Sequence, residues 1–371
     1  MNASMLFKKL QEDFLQKKPF VAYCKPASTS IHYLEQQDDH LHFTTDFTES
    51  GFVFAPFEAS EKAVLIQGKP EIIAIEHLNI EWPVEPLDLS ISESQKQHHL
   101  ELVERAVKYI KESSLQKVVL SRKQTARILA TSPVVLFKRL LNKYPEAFVY
   151  LWHHPQVGTW LGATPETLLS LNGYKFETMA LAGTQKYEGN MEVNWGLKEQ
   201  EEQELVTRDL ITRLNTFDLK KLVIQDRETY KAGSLLHLRT CITGSFNRGS
   251  LNLSKLIRAL HPTPAVCGLP RAEAQSFIKN NEGYQRGFYT GFLGELNILE
   301  DQSKKRSRRN VENLAYKTLT PVTCLYVNLR CMKYKAAESE IYVGGGITKD
   351  SVPGDEWQET VNKAQTIASI L

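Results

Sequence analysis

The chain lacks a long hydrophobic run. Its 371 residues are 42% hydrophobic, yet no apolar stretch approaches the roughly 20 residues a membrane span needs. It also lacks an excess of either charge. Lys and Arg number 45 against 43 Asp and Glu, a formal net charge of +2, so neither nucleic acid nor an anionic membrane surface is indicated as a partner. Cysteine is sparse and unpatterned. Cys24, Cys241, Cys267, Cys324 and Cys331 are odd in number and never in CxxC spacing, which argues against a zinc or disulfide framework and for a reducing compartment. The opening MNASMLFKKLQEDFLQKK carries charges where a secretory signal needs an apolar stretch, and reads as a short amphipathic helix. A cytoplasmic protein is expected. There is no internal repeat and no clear linker, and the apolar content is ample for a large core.

What is present is a mixture of strand and helix signals. Residues 19–90 hold short strand-like runs such as VLIQG and EIIAIEHL. Helical spacing of Leu102, Val103, Ala106, Val107 and Ile110 predicts a helix over 90–113. KVVLSRKQTARI, residues 117–128, is rich in β-branched residues and predicts a strand. Ser132 and Pro133 supply an N-cap and a first helical residue for SPVVLFKRLLNKY. AFVYLWHH and GTWLGATPETLLSL read as a strand pair, 192–215 as a charged amphipathic helix, LLHLRTCITGSF as a strand and 253–260 as a helix. The end reads as strands CLYVNLRCMKY and EIYVGGGIT, then helix DEWQETVNKAQTIASIL. Residues 300–318, EDQSKKRSRRNVENLAYKT, are polar and basic and read as a long solvated hairpin loop.

Three features carry chemistry. Glu199 and Glu202 in KEQEEQE are three apart on one predicted helix, and Glu356 and Glu359 repeat that spacing on another, with Lys363 one turn later. Two such pairs could surround a hard cation such as Mg²⁺, although the Glu199 helix alone reads sooner as solvated surface; the C-terminal pair is more suggestive because YVGGGIT directly precedes it. Gly344, Gly345 and Gly346 in YVGGGIT allow close backbone approach to an anionic ligand, or mark a plain turn. LHPTPAVCGLP, residues 260–270, gathers His261, Cys267 and three prolines. A metal site, a cysteine nucleophile and a rigid wall are all open readings of it.

The motifs KVVLSR, GATPETLL, LAGT, KEQEEQELV, LHLRT, LHPTPAVCGLP, EGYQRGFYTGFLG, VNLRC and YVGGGITKDSVPGDEWQETVNKA occur in one order between Lys117 and Ala364. In that order they resemble the chorismate-utilising enzymes, over about two thirds of the chain. The resemblance implies one α/β domain over 1–371, with a divergent part over 1–100 and a motif-bearing part over 101–371. Its fold would be two layered, mostly antiparallel sheets with helices outside and the site in the cleft between. The activity implied is Mg²⁺-dependent isomerisation of chorismate to isochorismate, by water addition at C2 and loss of the C4 hydroxyl. Isochorismate is used in menaquinone or siderophore biosynthesis. A salicylate-forming enzyme that goes on to eliminate pyruvate is the alternative, and a silent chorismate-binding protein a weaker one.

Residue by residue, the resemblance makes Lys117 the base that activates water and Glu166 the general acid. Glu202 and Glu359 become Mg²⁺ ligands, with Glu199 and Glu356 holding metal-bound waters. Tyr289 and Arg330 take the enolpyruvyl carboxylate. Gly183, Thr184 and His237 line the ring pocket, Gly344, Gly345 and Gly346 offer backbone contacts, and Lys363 balances charge beside the metal. The 260–270 cluster becomes a cleft wall in which neither His261 nor Cys267 need react. Gln203 and Gln185 depart from the family pattern, where His and Arg are common. Lys117 also argues against the ammonia-using members, so a monomer without a glutaminase subunit is expected.

Overall fold

The structure, a computed structural model, describes residues 1–75, 80, 89, 92–128, 131–301, 319–336 and 338–371. The chain opens with α1 (Ala3–Leu15), β1 (Phe20–Cys24), β2 (Ser30–Glu35), β3 (Phe43–Thr44), β4 (Gly51–Ala55), β5 (Ala63–Gln67) and β6 (Glu71–Ala74). There follow α2 (Glu93–Glu112), β7 (Lys117–Ala126), α3 (Pro133–Lys143), β8 (Phe148–His154), β9 (Gly158–Thr164), β10 (Thr167–Asn172) and β11 (Lys175–Lys186). Then come α4 (Leu197–Leu214), β12 (Leu219–Ile224), β13 (Glu228–Ala232), β14 (Leu235–Phe246), α5 (Leu253–Leu260), β15 (Gly268–Leu269) and α6 (Arg271–Asn281). The last elements are β16 (Phe292–Asp301), β17 (Leu319–Val327), β18 (Cys331–Tyr334), β19 (Ser339–Ile347) and α7 (Pro353–Ala368).

The strands form two sheets, and every described pairing is antiparallel. One runs β15-β7-β19-β18-β9-β8-β1-β2-β6, the other β12-β14-β11-β10-β17-β16-β4-β5-β3 with β13 beside β14. Strands from the first hundred residues thus pair directly with strands of the motif-bearing part. Aromatic side chains fill the space between the layers. Tyr23, Phe52, Phe54, Phe148, Tyr150, Trp152 and Trp160 are all at most 2% exposed, and Phe148 stacks on Tyr326 at 4.1 Å. Each such ring buries about 150–250 Å², a transfer contribution of about 4–6 kcal/mol as an upper bound. That layer welds the sheets together. Outside it, α1, α3 and α7 cover the first sheet and α4 and α5 the second.

The expected layered α/β architecture is therefore the observed one, and several elements match closely. Ser132 Oγ accepts from Val134 N at 3.2 Å and opens α3 at Pro133, and α5 and β14 fall where the pattern puts them. Four readings are corrected. GTWLGATPETLLSL is not one strand of a pair but two, β9 and β10, in different sheets and broken at Pro165–Glu166. The charged helix begins at Leu197 because Gly196, in extended backbone, is its N-cap. CLYVNLRCMKY is two strands in different sheets, broken at Asn328–Arg330, where Arg330 takes a left-handed φ of 48°. The three glycines are no turn: they lie inside β19. α6, β12 and β13 escaped the pattern altogether. Most of 300–318 lies outside the described residues. Among those residues, no helix is long and apolar enough to cross a membrane.

Candidate active site

Two chain segments cross between the sheets side by side. One is Pro165–Glu166, between β9 and β10; the other is Asn328–Arg330, between β17 and β18. They are tied together. Val327 N donates to Glu166 O at 3.0 Å, Ala163 N to Arg330 O at 3.1 Å, and Thr164 Oγ1 to Val327 O at 2.6 Å. The crossings floor a cleft of about 630 Å³ that counts its open mouth. Its walls include Glu166, Gly183, Thr184, Glu202, His237 and Tyr289, together with Arg330, Gly344, Gly346 and Lys363.

Glu166 is 2% exposed, and its Oε1 has no hydrogen-bond partner. Burial raises its pKa to about 8 against the pull of Lys117, Lys363 and Arg330, so the carboxyl holds its proton at neutral pH. Lys117, in β7, is fully buried, with Nζ 3.0 Å from Glu202 Oε1. The desolvation expected of a base is met; a neighbouring carboxylate stands where a second cation was the alternative.

His237 explains Arg330. A guanidinium only donates, so His237 Nε2 accepts from Arg330 Nη2 at 3.1 Å. Nδ1 therefore carries the ring proton and donates to Gly183 O at 2.8 Å. Burial first, then Arg330 and Lys363, lowers this histidine to about 3, leaving a neutral ring. It serves as a positioning residue. Arg330, 8% exposed, is also held by Thr366 Oγ1 at 3.2 Å. Tyr289 beside it is 2% exposed and stacked on Tyr342.

The glutamates gather on β19. A Cβ at Gly345 would lie 3.4 Å from Glu356 Oε2 and 3.5 Å from Glu359 Oε1, and one at Gly346 only 2.2 Å from Glu202 Oε1. A side chain at Gly346 would have to displace the Glu202 carboxylate from where it stands. Each carboxylate faces a lysine: Glu202 Lys117, Glu356 Lys198, and Glu359 Lys363 at 2.6 Å. Burial and Glu359 push Glu356 up, while Glu359, half-buried, is held low by Lys363. Glu199 is the exception. Its Cβ packs on Gly183 and its carboxylate turns back to Gly196 at the start of its own helix. Among the described residues no three His, Cys, Asp or Glu groups already form a metal shell. All donors near β19 are nevertheless hard oxygens, and Glu356 Oε2 is buried without a partner. The residues fit a cation that keeps waters and takes one or two carboxylates, which is Mg²⁺ chemistry.

The 260–270 segment is a wall. Ala265 and Val266 line the cleft. Cys267 is fully buried, with its thiol pushed up to about 12 by burial, and His261 is spent on Phe57 O. The wall also braces Lys117. Cys267 O accepts from Val119 N and Leu269 O from Gln116 N, both at 2.8 Å. Gly268, at φ 138°, lies so close that a Cβ would sit 2.2 Å from Lys117 O. Pattern reading missed Lys198 and Pro165. Lys198 directly precedes the acidic run, the one signal that could have marked it. Gln203 donates to Thr240 Oγ1 at 2.8 Å, tying α4 to β14, and Gln185 to Asn194 O.

A family model described as chorismate binding enzyme matches residues 70–302, and a second of the same description matches 319–369. The chain is 29% identical over 284 residues to isochorismate synthase MenF of Escherichia coli (strain K12), covering 73% of this chain and 59% of the relative. It is 26% identical over 282 residues to isochorismate synthase DhbC of Bacillus subtilis (strain 168), covering 71% and 65%. The chain thus spans about six tenths of the length of these curated relatives. In three dimensions it resembles a crystal structure of a putative 2,3-dihydroxybenzoate-specific isochorismate synthase, DhbC, from Bacillus anthracis. The TM-score is 0.76 at 22% identity, over 98% of each chain.

Proposed function

The chain belongs to the chorismate-binding enzyme family, and on that premise we propose that it is an isochorismate synthase, isomerising chorismate to isochorismate. The observation that carries the reading is the contrasting state of two buried groups whose charges feel each other, Lys117 and Glu166. One is an amine fully withdrawn from water, the other a carboxyl kept protonated by burial. In the reaction, a water oxygen bonds to C2 of the ring, both ring double bonds shift by one position, and the C4–O bond breaks with its electron pair leaving on the hydroxyl. Lys117, in its neutral form, takes the proton of the attacking water. Glu166 gives its proton to the departing C4 hydroxyl, and proton return between the two groups resets the site.

Arg330 and Tyr289 would hold the enolpyruvyl carboxylate, with His237 keeping the guanidinium in place. From Val343 onward the described pairing of β19 is with β7, since β18, which begins at Cys331, meets β19 only as far as Tyr342. The backbone of Gly344–Gly346 therefore has an open edge for the substrate. Glu202 and Glu359 would hold Mg²⁺, with Glu356 and the more distant Glu199 acting through bound waters. When bound, the ion supplies positive charge for the ring carboxylate among these glutamates.

The test is a product assay. Purified protein with chorismate and Mg²⁺ is expected to yield isochorismate, to stop in EDTA and to resume when Mg²⁺ is restored. Full turnover in chelator would remove the magnesium assignment. Fluorescent salicylate as the main product would move the protein to the pyruvate-eliminating branch. No ring product at all would overturn the reading.

A further inference from the structure

Beside Gly345 and Gly346 three glutamates meet three lysines. Lys117 and Lys363 have places in the proposed reaction. Lys198 has none. It lies in the first turn of α4 and reaches across to α7, where Nζ bonds Glu356 Oε1. Its charge is also within reach of Glu359 and Glu202. Glu356 is 1% exposed and its other oxygen has no partner. Without Lys198 that carboxylate would be buried next to Glu359 with no counter-charge in contact, which is strongly unfavourable.

We propose that Lys198 is an internal stand-in for the divalent cation, neutralising Glu356 while the site is metal-free and giving way when Mg²⁺ binds. The inference rests on the magnesium reading and adds a competitor to it. Lys198 can leave. Its side chain is 26% exposed on a flexible four-carbon stem, whereas Lys117 is sealed in. It has reason to leave, because a unit charge beside a doubly charged ion in a partly buried site is repelled strongly. The arrangement has a consequence for order of binding. A competing lysine weakens Mg²⁺ binding to the empty protein, and a carboxylate substrate restores the missing negative charge. Metal and substrate then favour each other.

Titration calorimetry with Mg²⁺ on the substrate-free protein tests this. Lys198→Met should bind Mg²⁺ at least about tenfold more tightly than wild type, while Lys198→Arg should stay within about threefold, since it keeps the charge. The metal-free Lys198→Met protein should melt below wild type and gain more from added Mg²⁺. Should it fail to fold, Lys198→Gln carries the same expectations. If wild type binds Mg²⁺ and the neutral variants bind no more tightly, the stand-in role is overturned and the metal site survives. If no variant binds Mg²⁺, even with chorismate in a Glu166→Gln background that spares it from turnover, the magnesium reading falls and takes this inference with it.

Discussion

Glu166 and Glu295 are the same residue, each 2% exposed, and the protein drives them in opposite directions. Glu295, in β16, meets Lys25 Nζ at 2.6 Å and His32 Nδ1 at 3.2 Å, and Tyr23 Oη donates to it at 2.7 Å. Burial alone would raise its pKa, but these contacts hold it down to about 2. Glu166 has an unpartnered oxygen and rises to about 8. Depth does not set the state of a buried carboxyl; its company does. Glu295 joins β1 and β2 of one sheet to β16 of the other and serves architecture. Glu166 lines the cleft with one oxygen, Oε1, that has no hydrogen-bond partner among the described residues, where a proton can be given away.

The contrast is broken most severely by substitution. Glu166→Gln should lower kcat by roughly 10²–10⁴ with KM little changed, and Lys117→Ala should do likewise. Because both act on one event, the double variant should be far less impaired than the product of the two effects. Steady-state kinetics of the four proteins decide it, and Lys117→Ala within a few-fold of wild type would end the water-activation reading. Glu295→Gln should leave kcat within a few-fold but cost about 1–3 kcal/mol of stability in urea titration, because Lys25 and Tyr23 lose a buried charged acceptor and Lys25 keeps only the more distant Glu300.

The pH dependence should separate the two glutamates with opposite slopes. Glu166 is raised from 4.5 to about 8, so the native state holds a proton that the unfolded state releases. Its contribution is present in full below pH 4.5 and fades as pH climbs to about 8. Glu295 is lowered from 4.5 to about 2, so its contribution is present above pH 4.5 and fades on acidification toward 2. Stability curves of the two Gln variants should each lose one slope and keep the other. The smallest effect is expected at Cys267, buried like both glutamates but given no chemistry. Cys267→Ala should cost about 1 kcal/mol and leave turnover within a few-fold, and a dead variant would return the wall to question.

Much of this was written locally. Caps and periodicity marked α3 and α5, because Ser132, Pro133 and the apolar spacing of 253–260 act within a few residues. The motifs gave the site its members. What they could not give was company. That one oxygen of Glu166 is unpartnered, that Glu202 faces Lys117, and that Lys198 reaches Glu356 depend on contacts between elements far apart in sequence. The break at Arg330 was hidden for the same reason: VNLRC is apolar enough to continue a strand, and only the passage between sheets forces the bend. Of the two readings open for the glycines, the turn falls, because they lie within β19 beside Glu202 and reverse nothing.

Glu166 and Arg330 both sit where the chain steps from one sheet to the other, on segments bonded to each other. Neither sheet alone holds a working cleft. A half-assembled molecule, with one layer formed and the other still loose, has nothing with which to grip the substrate or to protonate it. Turnover is thereby a certificate of complete assembly, and under mild denaturant it should disappear when the layers part, ahead of the loss of strand signal.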